Sequence, residues 1–203
     1  MSDVAYQAGP AEQKRGPQAI WPDGIPALVV PYTPAIKVNE WVFVSGFIAS
    51  DFKTGVATAA RAQNPYVEND MELQARFLLA NAARTVRAAG CDLGADIVRI
   101  AQWFPSARPS TEDRDAENFW PAISALPYLR ARDEVVHAPW PAETALSLRD
   151  FPVRTVQVGV EIFCFDPAAG KSVPILSLND GGAGNSRSRH AGVRRGNWVV
   201  LSG

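Results

Sequence analysis

The amino-acid sequence predicts an α+β fold in which two helices pack on one face of a mixed β-sheet. Three observations support this prediction: an apolar, β-rich run at residues 41–46, an apolar stripe at helical spacing in residues 71–89, and alternation in residues 153–165. The elements follow the order β-β-α-β-α-β-β, which is typical of a sheet with helices on one side. The 203 residues, 47% of them hydrophobic, are enough for one packed domain.

Charge, hydropathy and cysteine pattern exclude several classes of protein. Lys and Arg number 20 against 21 Asp and Glu, and the formal net charge of -1 gives no overall attraction to nucleic acid or anionic membranes. No apolar run approaches the roughly 20 residues of a membrane helix, and the N-terminal residues lack the apolar segment of a secretory signal. Cys91 and Cys164 have neither CxxC spacing nor a neighbouring His, which disfavours a disulfide scaffold and a zinc site. We expect a cytoplasmic protein that binds no metal, nucleic acid or membrane.

The first predicted elements are an N-terminal arm and a hairpin. Residues 1–20 are polar, contain Gly and Pro, and predict a tail or an extended arm. Residues 36–38 and the apolar run at 41–46 predict two strands joined by a turn at Asn39 and Glu40. We therefore expect this hairpin to open the sheet.

A helix from about residue 71 to residue 89 follows the hairpin. Asn69 or Asp70 can cap its start, and Gly90 can end it. Residues 97–104 then alternate as a strand. The stripe that predicts the helix consists of Met71, Ala75, Leu78, Ala82 and Val86.

The second half of the chain predicts one more helix and two more strands. Residues 110–113 resemble a capping box ahead of a helix at about residues 113–125. Leu146 and Leu148 indicate a strand, and residues 153–165 predict a long final strand. One face of that final strand is apolar, with Val156, Val158, Val160 and Ile162, whereas the opposite face carries Gln157, Gly159, Glu161 and Phe163.

A short motif occurs twice in the chain. Residues 194–203 end in Trp-Val-Val-Leu-Ser-Gly and repeat residues 37–46, which end in Trp-Val-Phe-Val-Ser-Gly, at a spacing of 157 residues. The second occurrence is too short to build a core, so we expect either a longer natural chain or a final strand that docks on a neighbour. The predicted organisation is a tail at 1–20, a domain at 21–166, a linker at 167–187, and the first strands of a second copy at 188–203.

Five segments occur in an order that points to one protein family. They are Tyr32-Thr-Pro-Ala-Ile-Lys with Val-Phe-Val-Ser-Gly46, the helix with Asn81 that stops at Gly90, the strand at 97–104, Pro141-Ala142 with Phe151-Pro152, and the last strand with Glu161. Over about residues 28–165 the sequence resembles the RidA (YjgF) family of reactive-intermediate deaminases.

The resemblance implies a RidA-like, chorismate-mutase-like fold and a homotrimer with active sites between subunits. It also implies a small-molecule substrate and no cofactor. The best-known members of the family hydrolyse imines and enamines to a ketone and ammonia. Some members have been described as ribonucleases, but this sequence contains no basic, aromatic groove in support of that activity.

One position departs from the pattern of the active deaminases. They carry an Arg after the Pro-Ala pair that binds the substrate carboxylate, and this chain has Glu143 there. A charge pair at about 4 Å and an effective dielectric of 20 is worth about 4 kcal/mol before desolvation. We therefore expect a neutral or cationic substrate, aromatic molecules included. Arg149 or Arg154 can in principle supply the missing charge.

Two carboxylates are the predicted catalytic residues. Imine hydrolysis needs water placed on the C=N carbon and a proton delivered to nitrogen, and Glu161 at a cleft edge would do both. The alternative is an exposed Glu on the polar face of a strand. Glu143 either binds a cationic substrate or acts as a second acid or base, since two nearby carboxylates raise one pKa; the alternative is a site that has lost its activity.

Five further residues are predicted to bind the substrate. Tyr32 matches a position that lines the family's cleft, and Asn118 matches its Asn in the second helix. Phe47, Trp103 and Trp140 would provide an aromatic pocket, with core packing as the alternative. We also expect residues 124–140 to form a long loop that reshapes the cleft. The resulting hypotheses are a cofactor-free C–N hydrolase and a non-catalytic binding module on the same scaffold.

Overall fold

The computed structural model describes residues 16–25, 31–51, 53–105, 124–148, 151–175 and 191–203. Two helices, α1 (Asp70–Ala88) and α2 (Leu126–Asp133), lie in these ranges. The main sheet contains β1 (Gln18–Ile20), β2 (Ala35–Val38), β3 (Trp41–Ile48), β4 (Ile97–Pro105), β5 (Ala142–Leu148) and β6 (Gly159–Phe165). A smaller sheet contains β7 (Val173–Ile175), β8 (Gly192–Arg195) and β9 (Trp198–Leu201).

The main sheet is mixed, with the strand order β1-β2-β3-β6-β4-β5. β4 and β5 are parallel, and α2 lies in the connection between them, whereas the other neighbours are antiparallel. Both helices contribute to one core cluster against one face of this sheet, which we call the helix face. The predicted α+β fold is therefore confirmed.

Helix α1 forms where its local signals predict it. The side chain of Asn69 accepts a hydrogen bond from the backbone N–H of Glu72 at 3.1 Å, and Gly90 follows the helix with a φ of 83°. The apolar stripe is buried against the sheet, and Leu78 has no exposed surface. Alternation along β6 directs Val160, Ile162 and Cys164 to the helix face and leaves Glu161, Phe163 and Phe165 on the opposite, outer face.

Two strand boundaries differ from the sequence-based prediction. Residues 18–20 lie in the predicted arm but form β1, which pairs with β2. The final strand begins only at Gly159, because Thr155 has a φ of 66° and the backbone N–H of Gln157 donates to Gln74 of α1 rather than to a strand.

The second helix also differs from its prediction. Most of the predicted helix at 113–125 lies outside the described residues, and α2 occupies the segment predicted as a loop. Pro127 lies in the first turn of α2, where its missing N–H costs nothing. Tyr128 and Ala131 then anchor this helix in the core.

The smaller sheet contains a hairpin that resembles the hairpin of β2 and β3. We call residues 34–46 the first hairpin and residues 191–203 the terminal hairpin. Both turn through a residue of positive φ, Asn39 at 52° and Gly196 at 57°. A Ser in each hairpin makes an equivalent backbone hydrogen bond. Ser45 N–H donates to the carbonyl of Pro34 at 3.0 Å, and Ser202 N–H donates to the carbonyl of Ala191 at 2.9 Å.

The register of the two hairpins is the same. A shift of 157 residues converts each β2–β3 pair into a β8–β9 pair. β7 lies beside β8 just as β1 lies beside β2, antiparallel and over three residue pairs. The corresponding pairs are Ala35↔Val44 and Gly192↔Leu201, Ile36↔Phe43 and Val193↔Val200, Lys37↔Val42 and Arg194↔Val199, and Val38↔Trp41 and Arg195↔Trp198.

Candidate functional site

Glu161 lies half-buried near the middle of the outer face of the main sheet. Its neighbour on β4 is Ala101, whose small side chain leaves space beside the carboxylate. On β3, the pairing with β6 is irregular between Val44 and Phe47, so Ser45 and Gly46 form a bulge at this level. The carboxylate is therefore flanked by a small residue on one side and by a bulge on the other.

Trp103 lies on the same face as Glu161. It pairs with Gly159, two residues before Glu161 on β6, and is half-buried. A side chain at Gly46 would meet Cζ3 of the Trp103 ring at 3.9 Å, so the ring extends across β6 towards the bulge of β3. The structure thus brings together two of the predicted site residues, one carboxylate and one aromatic.

Arg99 is a third polar group on this face, and the sequence analysis did not single it out. It pairs with Phe163, and its guanidinium carbon lies 5.4 Å from the centre of that ring. Its Nε is buried and has no hydrogen-bond partner among the described residues. The available signal was a charged residue inside an apolar strand, between Val98 and Ile100.

Tyr32 approaches the same bulge from the segment before β2. Ser45 Oγ donates a hydrogen bond of 2.5 Å to the carbonyl of Thr33, which fixes this segment against β3. Burial raises the pKa of the Tyr32 hydroxyl to about 12, so the hydroxyl remains protonated at neutral pH. Tyr32 is therefore a neutral polar residue that precedes Thr33, and Thr33 is hydrogen-bonded to Ser45 in the bulge beside Glu161.

Glu143 lies elsewhere. It pairs with Ile100 and thus projects to the helix face, where its Oε1 lies 2.9 Å from Nη1 of Arg132 on α2. The Arg132 side chain is 5% exposed, also contacts Asp133 at 3.1 Å, and lies over the ring of Trp140. The sequence analysis did not identify Arg132, because no local pattern connects it with Glu143.

The two predicted catalytic carboxylates therefore do not meet. Glu161 is on the outer face of β6, whereas Glu143 is on the helix face of β5, with β4 between these strands. The expectation that the two carboxylates lie close together does not fit this arrangement. Successive residues of a strand point to opposite faces, and paired residues share a face. Glu143 pairs with Ile100 and Glu161 pairs with Ala101, and Ile100 and Ala101 are consecutive residues of β4, so the two carboxylates lie on opposite faces.

Comparisons with known proteins agree with this architecture. The family model described as endoribonuclease L-PSP matches residues 24–116. A RutC family protein of Sulfurisphaera tokodaii is 34% identical over 76 residues, which cover 37% of this chain and 54% of the relative. A RutC family protein of Pyrococcus horikoshii is 29% identical over 87 residues, which cover 43% of this chain and 61% of the relative. The chain thus spans between half and two thirds of the length of these curated relatives.

The fold is also similar to that of a solved structure, over almost the whole length of the solved chain. RidA from the Antarctic bacterium Psychrobacter sp. is 22% identical, with a TM-score of 0.51 over 73% of this chain and 98% of that chain. The family-model match and the curated relatives support the RidA (YjgF) family for this chain. Glu143 lies outside the residues that the family model matches, and its comparison with the Arg of the active deaminases rests on the sequence resemblance alone.

Two other predicted binding residues lie away from the outer face. Phe47 is 4% exposed and packs in the main core, so it has the structural role that was its alternative. Trp140 is half-buried against Arg132. Asn118 lies outside the described residues, as does Arg149.

Two cavities of about 780 and 640 Å³ lie at the start of α1. They share Asp70 and residues 152–155, and Arg154 belongs to both. Neither is lined by a described residue of the predicted site. These cavities therefore do not coincide with the group of chemically useful side chains on the outer face.

The described part of the chain contains no group of three His, Cys, Asp or Glu side chains arranged to hold a metal ion. In the same residues, no helix is long and apolar enough to cross a membrane. Cys91 and Cys164 are buried free thiols, and burial raises the pKa of both, to about 11 for Cys91. Such thiols are poor nucleophiles at neutral pH.

Proposed function

We propose that this chain is a cofactor-free hydrolase that converts a small imine or enamine and water into a ketone and ammonia. The observation that carries the proposal is the half-buried carboxylate of Glu161 beside the Trp103 ring and the bulge of β3. A carboxylate in such a partly desolvated position can hold water and exchange protons with it.

The proposed reaction has two steps. Glu161 accepts a proton from water as the oxygen bonds to the C=N carbon, and the protonated carboxyl then delivers that proton to nitrogen. The hydroxyl proton of the resulting carbinolamine then passes by way of Glu161 to the nitrogen, and the C–N bond breaks as the C=O bond forms, which releases NH3 and the ketone. An enamine enters the same route after protonation at carbon gives the iminium tautomer.

The charges near the site revise the expected substrate. The sequence-based preference for a neutral or cationic substrate assumed that the charge of Glu143 is free, but Glu143 is paired with Arg132 and faces the helices. Arg99 instead lies on the outer face, two residue pairs from Glu161 along the β4–β6 ladder, and its buried Nε has no hydrogen-bond partner among the described residues. This arrangement favours a substrate with an acidic group, held by Arg99, and an apolar part that packs on Trp103.

The experiment is a measurement of ammonia release from freshly generated imines with anionic, neutral aromatic and cationic side chains. Wild type is compared with Glu161→Gln, and Glu72→Gln on the exposed surface of α1 is the matched control. We expect turnover that is lost in Glu161→Gln and retained in Glu72→Gln. Equal turnover in all three proteins would refute the role of Glu161.

A non-catalytic binding module is the second candidate. The observation that favours it is at position 143. The resemblance implies a substrate-binding Arg there, but this chain has Glu143, and its carboxylate is paired with Arg132. This candidate predicts saturable binding of the same compounds without ammonia release, unchanged by Glu161→Gln. The balanced charge of the chain, with a formal net charge of -1, disfavours cleavage of RNA.

A further inference from the structure

The outer face around Glu161 is arranged in three rows that cross β5, β4 and β6. Paired residues of neighbouring strands point to the same face, so the register of these strands defines the rows. Neighbouring strands lie about 4.8 Å apart, and successive rows lie about 6.6 Å apart along β4. In strand order, the members are Ala142, Arg99 and Phe163 in the first row, Thr144, Ala101 and Glu161 in the middle row, and Leu146, Trp103 and Gly159 in the last row.

The first row supplies a cation. The guanidinium carbon of Arg99 lies 5.4 Å from the centre of the Phe163 ring, and the buried Nε of Arg99 has no hydrogen-bond partner among the described residues. A buried N–H without a partner is costly, and a carboxylate forms strong, charge-assisted hydrogen bonds with a guanidinium. The first row therefore favours the acidic group of a ligand.

The middle row contains the carboxylate that we propose for catalysis. Ala101 lies between Glu161 and Thr144, whose Cα atoms are about 10 Å apart by strand spacing. A side chain at Gly203 would meet Oγ1 of Thr144 at 4.0 Å, so the terminal hairpin ends beside this row. The middle row is thus bounded by Glu161 on one side, and by Thr144 and the end of the terminal hairpin on the other.

The last row is apolar and partly open to solvent. The ring of Trp103 extends across Gly159, which has no side chain, towards the bulge of β3. Leu146 lies on the other side of Trp103, on the edge strand β5, and is 49% exposed. A half-exposed Leu next to a half-buried Trp offers apolar surface that a ligand can cover.

We propose that Leu146, together with Trp103, determines which apolar group the substrate carries. This inference rests on the proposed function, since it concerns the same site. The substrate is an imine whose acidic group binds Arg99 and whose other substituent is a large apolar group, such as a phenyl ring, packed between Trp103 and Leu146. The reacting carbon then lies over Ala101, within reach of Glu161. A small substituent leaves the last row uncovered, so such a substrate binds more weakly.

Binding of the ketone product tests this assignment without turnover. Phenylpyruvate and pyruvate share the acidic and keto groups and differ by one phenyl ring, and isothermal titration calorimetry of the full chain measures the Kd of each. We expect wild type to bind phenylpyruvate about 10-fold more tightly than pyruvate, because only the ring buries apolar surface in the last row. Leu146→Ala should weaken phenylpyruvate binding about fivefold and leave the Kd of pyruvate within about twofold.

Two variants control for general effects of the substitution. Leu126→Ala, at the start of α2 and away from the outer face, removes a Leu of similar exposure, 46%, and should leave both Kd values unchanged. Leu146→Met keeps the volume of the side chain and should retain the preference for phenylpyruvate.

Three outcomes would overturn the inference: an unchanged ratio of the two Kd values in Leu146→Ala, equal weakening of both ligands, or no binding of either ligand to wild type. Selective binding that Leu146→Ala abolishes would support the inference even without ammonia release. The absence of ammonia release from wild type, in contrast, would count against the proposed hydrolysis alone.

Discussion

Trp41 and Trp198 hold the same position in the two hairpins, and their rings meet edge to face with centroids 5.2 Å apart. Trp198 also donates from Nε1 to the carboxylate of Glu40 at 3.1 Å, while Trp41 packs edge to face on Phe165 at 4.6 Å. An aromatic pair of this geometry contributes about 0.5–1.5 kcal/mol beyond the area that it buries. The two equivalent residues therefore connect the smaller sheet to the main one.

The ion pair of Arg195 with Asp96 should be the strongest polar contact of the terminal hairpin. Arg195→Ala leaves Asp96 buried without its cation, and the free energy of unfolding is expected to fall by about 3–5 kcal/mol. The neighbouring Arg194 is exposed, so Arg194→Ala should change the free energy of unfolding by less than about 0.5 kcal/mol. Urea denaturation measures both. Equal effects of the two variants would mean that the hairpin is not anchored at Asp96.

Local signals explain what the sequence predicted well. Helix α1 has its cap at Asn69, its stop at Gly90 and a continuous apolar stripe, all within one segment. The alternation of β6 likewise assigned Glu161 to the face opposite the core. These features depend on neighbours in the chain, so they are readable without the fold.

Contacts between distant segments explain what the sequence did not predict. Arg132 meets Glu143 only because α2 packs over the start of β5, and Arg99 shares a face with Glu161 only because β4 pairs with β6. The final strand begins at Gly159 rather than at residue 153 because the backbone at Thr155 has a positive φ, which no side-chain pattern in the sequence indicated. Tertiary packing decided each of these cases.

Arg99 is predicted to determine specificity for an acidic substrate. A hydrogen bond to a charged group is worth about 1.5–3 kcal/mol, so Arg99→Met should lower kcat/KM for an anionic imine by about 10- to 100-fold. The same change should leave kcat/KM for a neutral aromatic imine within about threefold. Arg99→Lys should restore part of the loss, and Arg130→Met on exposed α2 is the matched control. A uniform loss for both substrates would indicate a structural role for Arg99.

Lys37 and Asp166 should make stability depend on acid pH. The hydrogen bond from Lys37 Nζ at 2.8 Å is the largest cause that lowers the pKa of Asp166 from its ordinary 3.8, followed by the backbone N–H of Ala168. Since the pKa is lower in the folded state, this stabilisation is complete above pH 3.8 and is lost as the pH falls through the lowered value.

The comparison of wild type with Lys37→Met tests this dependence. Both side chains of the pair are about a quarter exposed, so solvent screening limits its contribution to about 1 kcal/mol or less. The difference in unfolding free energy should shrink as the pH drops below 3.8, apart from a constant offset for the lost bond to Ala89. Lys53→Met, at an exposed site, is the control. A difference that does not change with pH would contradict the assignment to Asp166.

The pair of Arg132 with Glu143 should be a structural connection between α2 and β5. Arg132 is almost fully buried and keeps Asp133 as a second partner, so Glu143→Gln is expected to destabilise the fold by about 1–3 kcal/mol rather than the 3–5 kcal/mol of a fully orphaned charge. A double-mutant cycle with Glu143→Gln and Arg132→Met, measured by urea denaturation, should give a coupling energy of about 1–3 kcal/mol. Asp133→Asn is the matched control for a nearby lost carboxylate.

The same variants separate the two roles considered for Glu143. If Glu143 only connects the helix to the sheet, Glu143→Gln should retain the kcat of wild type at a temperature well below its lowered Tm, while Glu161→Gln does not. A coupling energy near zero, combined with loss of turnover in Glu143→Gln, would assign Glu143 to the chemistry instead.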